Sequence, residues 1–326
     1  MHVLVTGAAS MVGTKLVARL ATDQSLCGQE IDRLTLLDVV TPDHPQGFGG
    51  ACETAVGDLS DQTTSEAAIS GRPDVIFHLA AVVSGEAELD FEKGMRANFD
   101  GSRRLFDLIR TAPDYRPRVV FASSIAVFGA PFPDAIADDF APTPLTSYGT
   151  QKAMTELLLA DYTRRGFLDG IGIRLPNIAV RPGLPNKAAS GFFSSIIREP
   201  LAGAEALLPV EDTALQTHAS PRAAVGFLIH AAGLKATSVG PRVNLNMPGV
   251  CCTISEQLDA LRRVAGDKVA SRVRHAPDPF VARMVAGWPS RFDPRRAHAL
   301  GFSGERDFEE IIRVHIEDDL GGQYVS

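Results

Sequence analysis

Cysteine is scarce and falls without pattern: Cys27, Cys52 and the adjacent Cys251 and Cys252 are all that 326 residues contain. Neither a disulfide framework nor a metal-ligand spacing can be drawn from them, so reduced thiols are expected. Basic residues are outnumbered, with 32 Lys and Arg against 39 Asp and Glu for a formal charge of -7, and no run of Lys and Arg makes a local patch. That argues against nucleic acid and for a small-molecule partner. Long apolar runs are missing too: no window approaches the roughly 18 residues a membrane span needs. No charged stretch followed by an apolar one precedes the first strand, so a cytoplasmic protein is expected. Repeats and low-complexity tracts are absent. What remains, 45% hydrophobic and 22% charged, is an ordinary globular chain, long enough for one large or two modest domains.

Short apolar runs recur at Val3 to Val5, Leu34 to Leu37, Thr54 to Val56, Val75 to Leu79, Val119 to Ala122, Ile171 to Leu175 and Val243 to Leu245. Amphipathic stretches separate them, among them Met11 to Ala21, Glu92 to Thr111 and Ser147 to Arg164. Strand and helix in alternation predict an α/β fold, a doubly wound parallel sheet of the Rossmann type, with its ligand beyond the carboxyl ends of the strands. After Leu175 turn residues crowd Pro176 to Asn186, and the remainder mixes short helices with loops. The helical run Ser220 to Leu234 leads to the strand at Val243, so the chain is expected to leave the sheet domain and return. The expected partition is residues 1–175 and 219–246 for the sheet domain, and 176–218 and 247–326 for a smaller, discontinuous α/β cap that binds substrate.

Two patterns carry chemistry. Tyr148-Gly-Thr-Gln-Lys152 follows Ser124 by 24 residues, and its spacing of four sets Tyr148 and Lys152 on one face of a helix. A cation there stabilises a phenolate and makes the tyrosine a usable base. At the other end, Gly7 closes the first strand where the backbone must turn, and Gly13 lies in the first helical turn, where a side chain would hold the helix off the sheet. Backbone amides of Ser10, Met11 and Val12 are then expected to face a pyrophosphate at the positive helix end. Ser10 stands where a third glycine is usual; it costs room, though its hydroxyl is a possible donor. Asp38 ends the second strand and is placed to accept from ribose hydroxyls. Val39, Val40 and Thr41 follow it with no arginine for a 2'-phosphate, which favours NAD over NADP.

Together these motifs resemble the extended short-chain dehydrogenase/reductases, a family that includes nucleotide-sugar epimerases; the likeness runs from Met1 to about Pro182. It implies an NAD-dependent oxidoreductase in which Ser124, Tyr148 and Lys152 are catalytic. By the same likeness Asp58 and Leu59 of Gly57-Asp58-Leu59 lie at the adenine, Leu79-Ala80-Ala81 along the cofactor, and Asn98 and Pro176 beside it. Taken singly, Asp58 reads equally as a helix cap, Asn98 as a core hydrogen-bonder and Ser123 as a satisfied strand-end hydroxyl. Nearly the whole chain is similar to a branch of the family that oxidises the 2-hydroxyl of a four-carbon sugar acid with NAD. The matching stretches are His78 to Ser84, Ser147 to Met154, Arg174 to Gly183, Ser195 to Pro200 and Ser220 to Arg222.

The chemistry implied is removal of the hydroxyl proton by Tyr148 as hydride leaves the carbon, with Lys152 supporting the phenolate and Ser124 fixing the hydroxyl. A sugar-acid substrate needs a cation near the reacting carbon, and Arg222, at the opening of a helix, and Arg181 are the candidates. Asn177 and Ser84 are placed near substrate by resemblance, and Ser123 is a possible donor to the carboxylate. His78 reads as packing at its strand end, and His218 is ambiguous. Two other readings stay open: a nucleotide-sugar epimerase or dehydratase using the same triad, and a non-catalytic sensor that binds NAD(P). Glu92 to Thr111 and Ser147 to Arg164 offer helices for a homodimer.

Overall fold

The computed structural model describes residues 1–183 and 189–326. Seven runs form the strands β1 (His2–Thr6), β2 (Arg33–Asp38), β3 (Ala51–Val56), β4 (Val75–His78), β5 (Arg118–Ser124), β6 (Asp169–Leu175) and β7 (Asn244–Asn246). They lie side by side in the order β7-β6-β5-β4-β1-β2-β3, and every pair is parallel. Strands covered on both faces need no polar alternation, and Val3, Leu4 and Val5 are accordingly all buried. The order reverses between β1 and β4, which opens a crevice at the carboxyl ends of these strands. Gly7, Asp38, Leu79 and Ser124 all stand on that edge.

Helices α1 (Met11–Asp23), α2 (Gln62–Ser70), α3 (Gly101–Thr111) and α4 (Ser147–Arg164) connect these strands. On one face of the sheet Leu16, Val17 and Leu20 of α1 share a core with β1, β2 and β4. On the other, Ala68 of α2, Leu105, Phe106 and Ile109 of α3 and Leu159 of α4 close over Leu4, Ile76 and Phe121. The sequence predicts one helix over Glu92 to Thr111; the chain instead enters α3 through a wider π turn at Met95–Asp100. That turn carries Asn98 inward, where it is 1% exposed.

After β6 a second core forms. Strand Asn177–Ile178 pairs parallel with Leu215–Ala219, which pairs antiparallel with Val250–Thr253. Over this small sheet α5 (Phe192–Leu201) contributes Phe193, Ile196 and Ile197; two later helices bring Ile254 and Leu261, and Phe308, Ile311 and Ile312. Between the two passages through this region, α6 (Pro221–Gly233) returns to the main core through Val225, Phe227 and Leu228, and β7 pairs with β6. The second passage holds α7 (Ile254–Ala265) and α8 (Phe308–Asp319). Its intervening residues Ala297 and Phe302 pack into the main core, so the tail crosses back over the sheet side before α8. Among the described residues no helix is long and apolar enough to cross a membrane, and no group of three His, Cys, Asp or Glu is placed to hold a metal ion.

Candidate active site

The turn after β1 is built from backbone needs. Gly7 has φ of 74°, and a Cβ there would lie 2.7 Å from the Ala80 nitrogen. The turns after β1 and β4 therefore meet so closely that only glycine fits. At Gly13 a Cβ would fall 2.1 Å from the Gly7 carbonyl oxygen. Ser10 occupies the N-cap of α1 at φ -69°, ordinary extended backbone, so this position makes no demand for glycine. Its hydroxyl accepts from Gly13 N at 3.1 Å and donates to Gly7 O at 2.7 Å, and its own amide donates to Gly7 O at 3.1 Å. The Ser10 amide and hydroxyl, expected to face phosphate, here both bond within the loop. Among the described residues the amides of Met11 and Val12 have no partner, at the positive end of the helix. Asp38 Oδ2 accepts from Ala9 N at 2.9 Å and Oδ1 from Val39 N at 2.7 Å, so the acid braces the same loop. Val39 and Val40 beyond it are exposed. A dinucleotide's pyrophosphate and ribose fit these two free amides, the glycine-tight turn and the terminal carboxylate.

Tyr148 and Lys152 lie on α4, whose start is fixed by the Thr146 hydroxyl accepting from Gly149 N at 3.1 Å. Lys152 is 2% exposed; its ammonium donates to the Ala122 carbonyl at 2.9 Å and stands over the rings of Phe121 and Tyr148, 4.7 and 5.8 Å from their centroids. Burial lowers its pKa to about 8, an effect partly offset by the Glu156 charge. Burial also raises the Tyr148 phenol above the ordinary tyrosine value, while hydrogen bonding with Ser124 and the charge of Arg181 act in the opposite direction. Ser124 ends β5, where its hydroxyl accepts from Ala126 N at 3.1 Å. The three residues converge from a strand end and one helical face.

Arg181 comes from the segment after the short strand Asn177–Ile178. Its Nε donates to Ile178 O at 2.9 Å, and one terminal nitrogen donates to Asn177 Oδ1 and Ser190 Oγ, both at 2.9 Å. All three partners are neutral, and Tyr148 and Arg198 are the titratable neighbours close enough to act on this guanidinium. Burial lowers its pKa below the usual arginine value. Its backbone is clamped as well: Arg181 N donates to Ser194 Oγ at 3.0 Å, and Arg198 donates to Arg181 O at 2.7 Å. Arg181 is thus a half-buried cation close to the Tyr148 phenol, without a carboxylate partner among the described residues.

The sequence pattern of the NAD dependent epimerase/dehydratase family matches residues 3–216. The chain belongs to the NAD-dependent epimerase/dehydratase family. The D-erythronate dehydrogenase of Cupriavidus necator is 48% identical over 324 residues, 98% of each chain. That of Haemophilus influenzae is 39% identical over 320 residues, 98% of this chain and all of the relative. A solved structure described as the nucleoside-diphosphate-sugar epimerase from Agrobacterium tumefaciens is 59% identical, covers 99% of this chain and 95% of its own, and superposes with a TM-score of 0.97.

Within this epimerase/dehydratase frame several expected residues stand elsewhere. Ser123, expected at the substrate, donates instead to Glu156 Oε1 at 2.5 Å, because neighbours in a strand face opposite sides and Ser124 takes the side toward Tyr148. Arg222, expected to look into the cleft, pairs with Glu317 at 2.9 Å and Asp318 at 2.5 Å on α8, half-exposed and already neutralised. Asn98 accepts from Val82 N at 2.8 Å and donates to Gln151 Oε1 at 2.7 Å, tying the turn after β4 to α4. Asp58 accepts from Ser60 N at 2.8 Å and shapes the turn into α2. Leu59 and Pro176 are buried, Leu79 and Ala80 line the meeting of the β1 and β4 turns, Ala81 follows them, and Ser84 opens the helix Ser84–Leu89. His78 is buried between Thr6 Oγ1 and Ser102 Oγ, both at 2.8 Å, as its strand-end reading anticipates. Burial lowers its pKa to about 3.

Residues that the sequence did not single out complete the surroundings. Glu156 continues the four-residue stripe of Tyr148 and Lys152, a signal that was there to find. Ser190, Ser194, Arg198 and Gln257 reach the site only through the tertiary fold.

Proposed function

We propose that this protein oxidises the 2-hydroxyl of a small sugar acid with NAD, D-erythronate to 2-dehydro-D-erythronate being the foremost case. One observation supports the reading: the Arg181 guanidinium lies near Tyr148 and, among the described residues, its hydrogen-bond partners are neutral. In a 2-hydroxy acid the carboxylate is one bond from the carbon that is oxidised, so a cation beside the base is where that anion has to go. A nucleotide sugar carries its charge on phosphates remote from the reacting hydroxyl. The Agrobacterium structure's description favours that second reading, and the Arg181 environment counts against it.

Met11 and Val12 amides, Gly7 and Asp38 would hold NAD, which when bound supplies the hydride acceptor. Tyr148 takes the hydroxyl proton at its phenol oxygen. Ser124 fixes the hydroxyl against Tyr148, and Lys152, anchored on Ala122 O, sets a positive charge beneath the ring that favours the phenolate. Arg181 orients the carboxylate and thereby the carbon. In this reading the acid is seated on Arg181 before its proton leaves toward Tyr148.

The test is NADH formation by the purified protein with a panel of four-carbon sugar acids, run against NADP and UDP-sugars. Turnover of D-erythronate with NAD is expected, falling about 10²- to 10⁴-fold in Tyr148→Phe. Silence with every acid but turnover of a UDP-sugar would give the site to an epimerase.

We also propose a homodimer through α4 and its neighbours. Leu157, Leu89 and Phe91 are 67%, 81% and 55% exposed there, more apolar surface than a lone chain usually leaves on packed helices. Sedimentation is expected to give twice the chain mass, and Leu157→Lys to halve it.

A further inference from the structure

His218 sits on the strand Leu215–Ala219 with no exposed surface, held edge-on by Phe193 and Phe308 at centroid distances of 5.0 and 5.3 Å. Its Nδ1 lies 3.2 Å from Asn177 Nδ2, and its Nε2 lies 3.0 Å from the side-chain amide of Gln257 on α7. Counting donors fixes the sense of this chain. Arginine only donates, so Asn177 must turn its oxygen to Arg181 and its NH2 to His218. Nδ1 is then the acceptor, the ring proton is on Nε2, and it needs an oxygen to receive it. The Gln257 amide therefore presents Oε1 to the ring. Every donor in the chain points away from the active site: Arg181 to Asn177, Asn177 to His218, His218 to Gln257.

We propose that His218 and Gln257 are positioning residues that orient Asn177 and, through it, the Arg181 guanidinium for the substrate carboxylate. The proposal rests on Arg181 being the carboxylate partner. It makes a neutral, Nε2-protonated His218 a condition of tight substrate binding: a proton on Nδ1 would confront the Asn177 NH2 and break the chain. The surroundings keep it neutral. The charges facing the chain are Arg181 and, behind it, Arg198, paired with Glu199 at 2.6 Å; Phe193 and Phe308 are uncharged, and burial raises the Cys252 thiol beside Gln257 to about 12. Burial and the Arg181 charge lower the His218 pKa to about 3.

Gln257→Glu tests this directly. The new carboxylate still accepts from Nε2–H but stabilises the doubly protonated ring, so His218 should titrate within the working pH range. The KM for D-erythronate is then expected to rise about tenfold as pH falls through that titration, with kcat and the KM for NAD following the wild-type profile. Gln257→Met, which removes the acceptor without adding charge, should raise the same KM at every pH. A KM for the acid that tracks wild type in both folded variants overturns the proposal. Nitrogen-15 NMR of the ligand-free wild type reads the tautomer independently of turnover: unprotonated Nδ1 with protonated Nε2 is expected, and a proton on Nδ1 overturns the chain. Failure of the wild type to oxidise any four-carbon acid would instead remove the reading of Arg181 as carboxylate partner, and the substrate role of His218 with it.

Discussion

Arg174 and Arg181 stand close in sequence on either side of the short turn that leaves the sheet, yet they live in opposite electrostatic worlds. Arg174 is 4% exposed and meets Glu156 through Nε at 2.9 and 3.1 Å and through a terminal nitrogen at 2.8 Å, and it also donates to Asp138 O at 3.2 Å and Asn246 Oδ1 at 3.3 Å. Arg181 has a carbonyl, an amide oxygen and a hydroxyl. A buried charge is costly wherever it lies. Where the protein brings the counter-charge itself, the pair is architecture. Where none of the described residues brings it, as at Arg181, the counter-charge under the proposed function is the substrate carboxylate.

The largest expected effect is on the architectural side. Arg174→Met leaves Glu156 buried and unpaired and should cost about 3 to 5 kcal/mol of stability, read as a lowered midpoint in urea unfolding. Adding Glu156→Met should restore much of it; if the single variant is as stable as wild type, the contrast between the two arginines fails. Next comes the site itself. Arg181→Met should weaken the acid by about 1.5 to 3 kcal/mol, roughly 10- to 150-fold in KM, with unfolding nearly unchanged, whereas Arg222→Met should leave KM where it was. Equal KM losses in both would return Arg222 to the cleft. The smallest effect sharpens the cofactor end: Ser10→Ala should cost about 1 kcal/mol of stability through the lost cap, Ser10→Gly only a few tenths, and neither should move the KM for NAD by more than about threefold. A large rise in that KM would mean that Ser10 touches phosphate after all.

The two ends of the site were legible to different degrees. Gly7, Gly13, Asp38, Tyr148 and Lys152 act through spacing along one strand-turn or one helical face, and sequence preserves spacing. The alternation of strand and helix gave the parallel sheet for the same reason, while the π turn at Met95–Asp100 escaped because its periodicity differs from α-helix by less than one residue per turn. Ser123 misled because nothing local says which of two adjacent hydroxyls faces Tyr148; that is settled by where Glu156 lands. Arg222 misled because its partners, Glu317 and Asp318, are more than ninety residues on. Arg181 was named with Arg222 as a candidate, but its setting could not be read in advance, since Ser194 and Arg198 of α5 clamp its backbone only in three dimensions.

The chain Ser123 to Glu156 to Arg174 to Asn246 bolts α4 to β5, β6 and β7. Its consequence is evolutionary freedom. The distance between Ser124 and Tyr148 is held from behind, so loops and helices around Arg181 can be exchanged without disturbing that pair. A scaffold bolted in this way can be handed a new substrate by altering one lobe alone, and relatives carrying different substrates on the same sheet are what such a division of labour would leave behind.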